Sequence, residues 1–285
     1  MVSKQWHLAH GRQLELGATA RIMGVLNVTP DSFSDGGRFG SLDRAVEQAQ
    51  RMIEEGADII DVGGDTTKPG SHAISAAEEQ MRVLPVIEAL VDRTDVLISI
   101  DTYRAETARL AVSAGAHIVN DIWGLQKEPD IATIAAEARA GLVIMHNGRG
   151  RTLEPDAIAD QLGFLQKSLS IAHEAGVASD SVVLDPGFGF AKETTEINLD
   201  LMARLEDLHA LGFPLLVGTS RKRFIGTITG REPNERDVGT AATSVLLRLK
   251  GASVFRVHNV AFNRDALKIV DAIMATSTTS GIATA

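Results

Sequence analysis

Residues 43–64, DRAVEQAQRMIEEGADIIDVGG, decide the fold. Val46, Ala49, Met52 and Ile53 recur at helical spacing, so Asp43 to Glu55 reads as an amphipathic helix with one apolar face. Gly56 follows where a left-handed helix cap is wanted. Ile59 to Val62 is then a short apolar run, the form of a strand covered on both faces in a parallel sheet. The phrase is helix, glycine, strand, polar loop.

Reading outward, the phrase repeats. Similar runs occur at Ile22 to Val28, Val96 to Ile100, His117 to Asn120, Leu142 to Met145, Val182 to Leu184, Leu215 to Val217 and Val254 to Val257, which makes eight strands with the first. Asp156 to Ala175 is a second clear amphipathic helix, with Ile158, Leu162, Leu165, Leu169 and Ala172 on one face. Glycines stand between helical pattern and strand at Gly115, Gly141, Gly176, Gly212 and Gly251 as well, each an expected left-handed cap. Eight strands alternating with helices, with no composition break, predict a single α/β domain, a (β/α)8 TIM barrel over residues 17–275. Residues 1–16 are expected to form an N-terminal extension or hairpin, and 276–285 a flexible C-terminal tail.

Composition narrows the function. The chain has 285 residues and a formal net charge of −9, which argues against nucleic-acid or anionic-membrane partners because both need a basic face. Without cysteine, disulfides, thiolate metal sites and cysteine nucleophiles are excluded, so histidines and carboxylates must carry any metal. The N-terminus lacks the apolar run of a secretory signal and no stretch is apolar enough for a membrane span, so a cytoplasmic location is expected.

In a barrel the chemistry sits at the C-terminal ends of the strands. There the sequence places Asn27, Asp101, Asn120, Asp121, Asp185, Lys222, Arg256 and His258, with glycine-rich loops after the first and second strands. Singly, Asn27, Asn120 or an aspartate reads equally well as a helix cap or turn former. Caps do not explain acidic or amide residues emerging straight from three apolar runs, where a desolvated side chain is costly unless it binds something. Arg256 and His258, two apart on a strand, share a side and with Lys222 supply donors for a phosphate or diphosphate. Asp101, Asn120 and Asp185 offer the donors and acceptors that read a flat, nitrogen-rich heterocycle. Asn27 and the nearby aspartates of the first loop offer oxygen to Mg²⁺, which reaches a protein through one or two such ligands plus phosphates.

These motifs are specific. The chain resembles the dihydropteroate synthase family of pterin-binding TIM barrels through IMGVLNVTPDSFSDGG (22–37), GADIIDVGG (56–64), LDPGFGF (184–190), SRKRFIG (220–226) and RVH (256–258). The resemblance implies a transferase of folate biosynthesis. It would condense 6-hydroxymethyl-7,8-dihydropterin diphosphate with 4-aminobenzoate to 7,8-dihydropteroate and diphosphate by a dissociative route, as a Mg²⁺-dependent homodimer inhibited by sulfonamides. It implies that Asp101, Asn120, Met145, Asp185 and Lys222 hold the pterin. Asn27, Arg256 and His258 would hold the diphosphate, with Asn27 on the metal. Thr67, Lys68, Pro69, Phe190, Arg223 and Phe33 would frame the 4-aminobenzoate. Asp35 joins Asp101, Asp185 and Lys222 among the residues expected in catalysis.

The chain departs from the family pattern at Asp65-Thr66-Thr67-Lys68, where Glu-Ser-Thr-Arg is usual, at Asn147-Gly148-Arg149 after the fifth strand, at Arg223 and at Asn259. Two rival readings share the acidic heterocycle pocket. A methyltetrahydrofolate-dependent corrinoid methyltransferase has no use for the diphosphate set of Asn27, Lys222, Arg256 and His258. A non-catalytic pterin-binding relative would bind the pterin and never release diphosphate.

Overall fold

The computed structural model describes residues 3–29, 37–65 and 74–280. A short antiparallel hairpin, β1 (Lys4–His7) and β2 (Gln13–Leu16), precedes eight parallel strands. These are β3 (Arg21–Asn27), β4 (Ile59–Gly63), β5 (Leu97–Asp101), β6 (Ile118–Asp121), β7 (Gly141–Met145), β8 (Val182–Asp185), β9 (Leu216–Val217) and β10 (Val254–Val257). They hydrogen-bond in the order β8-β7-β6-β5-β4-β3-β10-β9, and Leu184 bridges in parallel to Leu215. The sheet therefore curls round to its own first edge, the closed form expected from the repeated phrase.

Helices follow the strands. They are α1 (Gly37–Glu54), α2 (Ala76–Arg93), α3 (Ala105–Ser113), α4 (Asp130–Ala138), α5 (Ala157–Glu174), α6 (Thr195–Ala203), α7 (Arg223–Thr229), α8 (Asp237–Leu249) and α9 (Val260–Ser280). The apolar faces read from the sequence are turned inward: Val46 of α1 is buried, and Ala49 and Met52 of α1 with Ile158, Leu165 and Ala172 of α5 lie in one core with the outward strand residues Ile60, Val62, Ile98 and Ile100. The last helix continues through Ser280, five residues into the stretch read as a tail.

One expected cap is corrected. Left-handed glycines do end the turns at Gly56, Gly115, Gly176, Gly212 and Gly251, but before β7 the left-handed residue is Arg139, at φ 51°. Gly141 instead opens β7, and a Cβ there would lie 2.4 Å from Leu8 and 3.2 Å from Trp6. Glycine at this position makes room for the hairpin, not for a turn.

Side chains alternate along each strand, so every second residue points into the barrel. One such layer takes one apolar residue from each strand: Met23, Ile59, Leu97, Ile118, Val143, Val183, Leu216 and Val254. Trp6, Leu8 and Leu16 of the hairpin close it from the N-terminal end, and the Trp6 indole N–H donates 2.8 Å to the Ser181 carbonyl. Each buried aliphatic side chain in such a plug contributes about 1.5–3 kcal/mol.

Two residues further on, the same rows carry Val25, Asp61, Ser99, Asn120, Met145, Asp185, Gly218 and Arg256. The interior thus changes from apolar to polar within one step of the strand period. The barrel is plugged at one end and charged at the other.

Candidate active site

The polar layer and the residues above it make a cleft. Asn120, Ile122, Met145, Asp185, Gly187, Phe188, Phe190, Gly218, Lys222 and Arg256 line it.

Arg256 organises its floor. Its Nε donates to Asp61 Oδ2 over 2.6 Å and one terminal nitrogen donates to Asp101 Oδ2 over 2.5 Å. Asn120 Nδ2 donates to the same Asp61 oxygen at 3.1 Å. Asp61 is fully buried and its second oxygen has no hydrogen-bond partner among the described residues. Parallel register explains the convergence: Asp101 lies beside Gly63 on one side and Asn120 on the other, and β4 and β10 flank β3.

Burial governs the protonation of these groups. It raises the Asp101 carboxyl to about 7 against the opposing pull of Arg256, with Asp61, Glu79 and Asp121 adding to the rise. Burial likewise raises Asp185 to about 6, opposed by the Gly187 amide and by Lys222 and Arg256. It depresses Lys222 to about 8, aided by Arg256. The guanidinium of Arg256 stays charged because Asp61 and Asp101 outweigh its desolvation.

The upper wall is aromatic and cationic. Lys222 Nζ sits 4.3 Å above the Phe190 ring centre, and the Arg149 guanidinium lies 5.0 Å from it. His258 Nδ1 meets Ser220 Oγ at 2.9 Å, while that hydroxyl accepts the His258 backbone N–H at 3.1 Å. Burial, with Arg256, Arg221 and Lys222 nearby, lowers His258 to about 3. His258 is thus a neutral ring paired with Ser220 through Nδ1.

The structure gathers Asn120, Met145, Asp185, Phe190, Lys222 and Arg256 around one cleft and sets Asp101 against Arg256. Asn27 stands at the end of β3, and a Cβ on Gly63 would lie 3.8 Å from its amide oxygen and 3.6 Å from Asp101. Arg223 is not brought in: it begins α7 and donates outward to the Glu193 carbonyl and carboxylate. Phe33, Asp35, Thr67, Lys68 and Pro69 lie outside the described residues. Asp121 has a local role, accepting the Trp123 and Leu125 amides at 2.8 and 2.6 Å as a turn former. Asn259 caps α9 through the Phe262 amide and donates to Asp237.

Two features escaped sequence reasoning. Asp61 was absorbed into an apolar run, although a carboxylate among Ile59, Ile60 and Val62 with the inward parity of Ile59 was a usable signal. Lys192, buried behind the Gly187–Phe190 turn, carried no such signal because a loop lysine reads as solvated.

As to metal, no three histidines or carboxylates converge to hold an ion among the described residues. What the site offers is the exposed Asn27 amide oxygen at the end of β3, facing Gly63 as the Asp101 carboxylate does, a sparse oxygen set that suits a Mg²⁺ whose remaining ligands are phosphate oxygens and water.

Residues 23–258 match a family model described as pterin binding enzyme. A dihydropteroate synthase of Bacillus subtilis is 49% identical over 253 residues, covering 89% of this chain and 88% of the relative. Among solved structures, Xanthomonas albilineans dihydropteroate synthase with 4-aminobenzoic acid superposes with a TM-score of 0.90 at 42% identity, covering 95% of this chain and 99% of that one. The same enzyme in complex with 7,8-dihydropteroate gives 0.86 at 41% identity, covering 94% and 99%.

Proposed function

The chain belongs to the pterin-binding enzyme family, and from that premise we propose that it catalyses the dihydropteroate synthase reaction. It is a transferase of folate biosynthesis whose substrates are small molecules, a dihydropterin diphosphate and 4-aminobenzoate. The observation that carries this reading is the polar layer set directly on an apolar plug. It offers carboxylates and an amide for a flat heterocycle, with Arg256, Lys222 and a neutral His258 beside them for an anion.

The pterin edge pairs with Asp101, Asn120 and Asp185, and its ring lies between Met145 and the Lys222–Phe190 wall. The diphosphate extends toward Arg256, His258 and Asn27. When bound there through Asn27, Mg²⁺ neutralises charge on the leaving diphosphate. The C–O bond to the pterin methylene breaks and its electron pair departs with diphosphate. The cation left on the methylene is delocalised into the ring, where the ionised carboxylates of Asp101 and Asp185 offset its charge. The amine lone pair of 4-aminobenzoate then forms the C–N bond, and the surplus ammonium proton passes to solvent. No protein nucleophile is required.

Val238, Leu246 and Leu249 of α8 and Phe262, Ile269 and Ile273 of α9 are large, apolar and exposed on adjacent helices, which supports a homodimer formed through this face. No helix among the described residues is long and apolar enough to cross a membrane. That fits the cytoplasmic location expected of a folate-pathway enzyme. The test is product analysis: purified chain given both substrates and Mg²⁺ forms dihydropteroate, identified by mass. Pterin binding without product would assign it instead to a non-catalytic relative.

A further inference from the structure

The turn that walls the cleft hangs on a buried lysine. Lys192 is 5% exposed, yet its Nζ reaches the Gly187 carbonyl at 2.8 Å, His146 Nδ1 at 3.0 Å and the Phe190 carbonyl at 3.4 Å. The two carbonyls accept from the amine, whose pKa burial pushes down to about 7. Gly187 passes the connection on, because its amide donates 2.7 Å to Asp185 Oδ1. One residue, accepting with its carbonyl and donating with its amide, therefore links Lys192 to a carboxylate of the cleft.

The anchor is itself held from outside the cleft. His146 Nε2 meets Asp160 Oδ2 at 2.8 Å and Arg151 Nη2 at 2.7 Å, and Asp160 takes two hydrogen bonds from Arg151 at 2.6 and 2.7 Å. Asn198 of α6 closes the far end, donating to the Lys192 carbonyl at 2.9 Å and accepting the Gly189 amide at 2.8 Å. Neither Lys192, His146 nor Asp160 lines the cleft. Burying this much charge is costly and is not needed to close a barrel whose apolar plug lies below.

On the reading of the site given above, we propose that Lys192 is a positioning residue of the pterin subsite: it fixes the Gly187–Phe190 turn so that Asp185 and the Phe190 ring meet the heterocycle in a set geometry, without touching it.

The test compares wild type, Lys192→Met and Lys192→Arg as full chains, measuring the dissociation constant for 6-hydroxymethylpterin alongside the unfolding midpoint. Met fills the space without charge or donors, so binding weakens about tenfold, the scale of a lost charge-assisted hydrogen bond. Arg restores cation and donors and recovers most of it. A lysine that only supported the fold would lower the midpoint and leave affinity of the folded protein intact. Binding by the Met variant within twofold of wild type, or an Arg variant as weak as Met, overturns the proposal. If the Met variant does not fold, Lys192→Gln carries the test, because it is polar but too short and uncharged to span His146 and Gly187. Wild-type affinity in that variant overturns the proposal equally. Failure of the wild type to bind the pterin would instead overturn the functional reading, so the two failures are distinguishable.

Discussion

Arg256 and Asp61, on strands that flank β3, meet at 2.6 Å beneath the cleft, and Asp61 has no exposure to solvent. The pair sets where the second guanidinium arm points, and that arm holds Asp101. Asp61→Ala leaves a buried cation with half its compensation. Breaking such a pair typically costs about 3–5 kcal/mol of stability. Urea unfolding should show a loss of that order, and calorimetry should show weaker pterin diphosphate binding as Arg256 and Asp101 lose their register.

Catalysis should be bell-shaped in pH. Asp185, raised by burial to about 6, and Asp101, raised to about 7, must be ionised to offset the methylene cation, so kcat/KM falls as pH drops through 7 to 6. Lys222, lowered by burial to about 8, must be protonated to serve as a cationic donor, so kcat/KM also falls above pH 8. Lys222→Arg removes the alkaline limb because a guanidinium does not deprotonate in this range. An alkaline limb that persists in that variant would assign it to another group.

Gly187 should accept no side chain. Its φ is +62°, and a Cβ would lie 2.1 Å from the His146 carbonyl oxygen, a backbone atom that cannot swing aside. Gly187→Ala combines left-handed strain of about 1–2 kcal/mol with that clash. Thermal unfolding should show a lowered midpoint, with loss of pterin binding in whatever remains folded. Wild-type behaviour in both would mean that the turn relaxes freely and Asp185 does not depend on it.

Most of the architecture was legible in the chain because it is written in side-chain periodicity. The run Ile59 to Val62 and the helical face Val46, Ala49, Met52 and Ile53 name a strand and a helix without any tertiary information, and the structure buries the strand and all of that face but Ile53, which is half-buried. Asp101, Asn120, Asp185 and Arg256 were findable because they interrupt or end such runs. Asp61 was not singled out because its neighbours outweigh it unless inward parity is followed residue by residue. Lys192 is invisible for a deeper reason: its burial comes from the meeting of the β7 and β8 loops with α6, a contact no local pattern encodes. Arg223 shows the converse, a residue adjacent to Lys222 in sequence whose side chain turns outward to Glu193.

Metal dependence should be felt at the leaving group. On the proposal that Asn27 holds Mg²⁺, Asn27→Ala should raise the Mg²⁺ concentration needed for half-maximal activity while the dissociation constant for 6-hydroxymethylpterin, which lacks the diphosphate, stays within about twofold. Metal titrations of activity and pterin titrations by fluorescence check the two halves. Equal loss of both would place Asn27 on the heterocycle instead.

The most direct measurement is diphosphate release from 6-hydroxymethyl-7,8-dihydropterin diphosphate, followed with and without 4-aminobenzoate in the wild type and in Asp101→Asn. The geometry predicts sustained release coupled to dihydropteroate formation in the wild type, and a fall of about 100-fold or more in kcat for the variant, the scale of losing an electrostatic group aimed at the developing charge. Wild-type protein that binds the pterin yet releases no diphosphate, or an Asp101→Asn variant that turns over at the wild-type rate, would contradict the account.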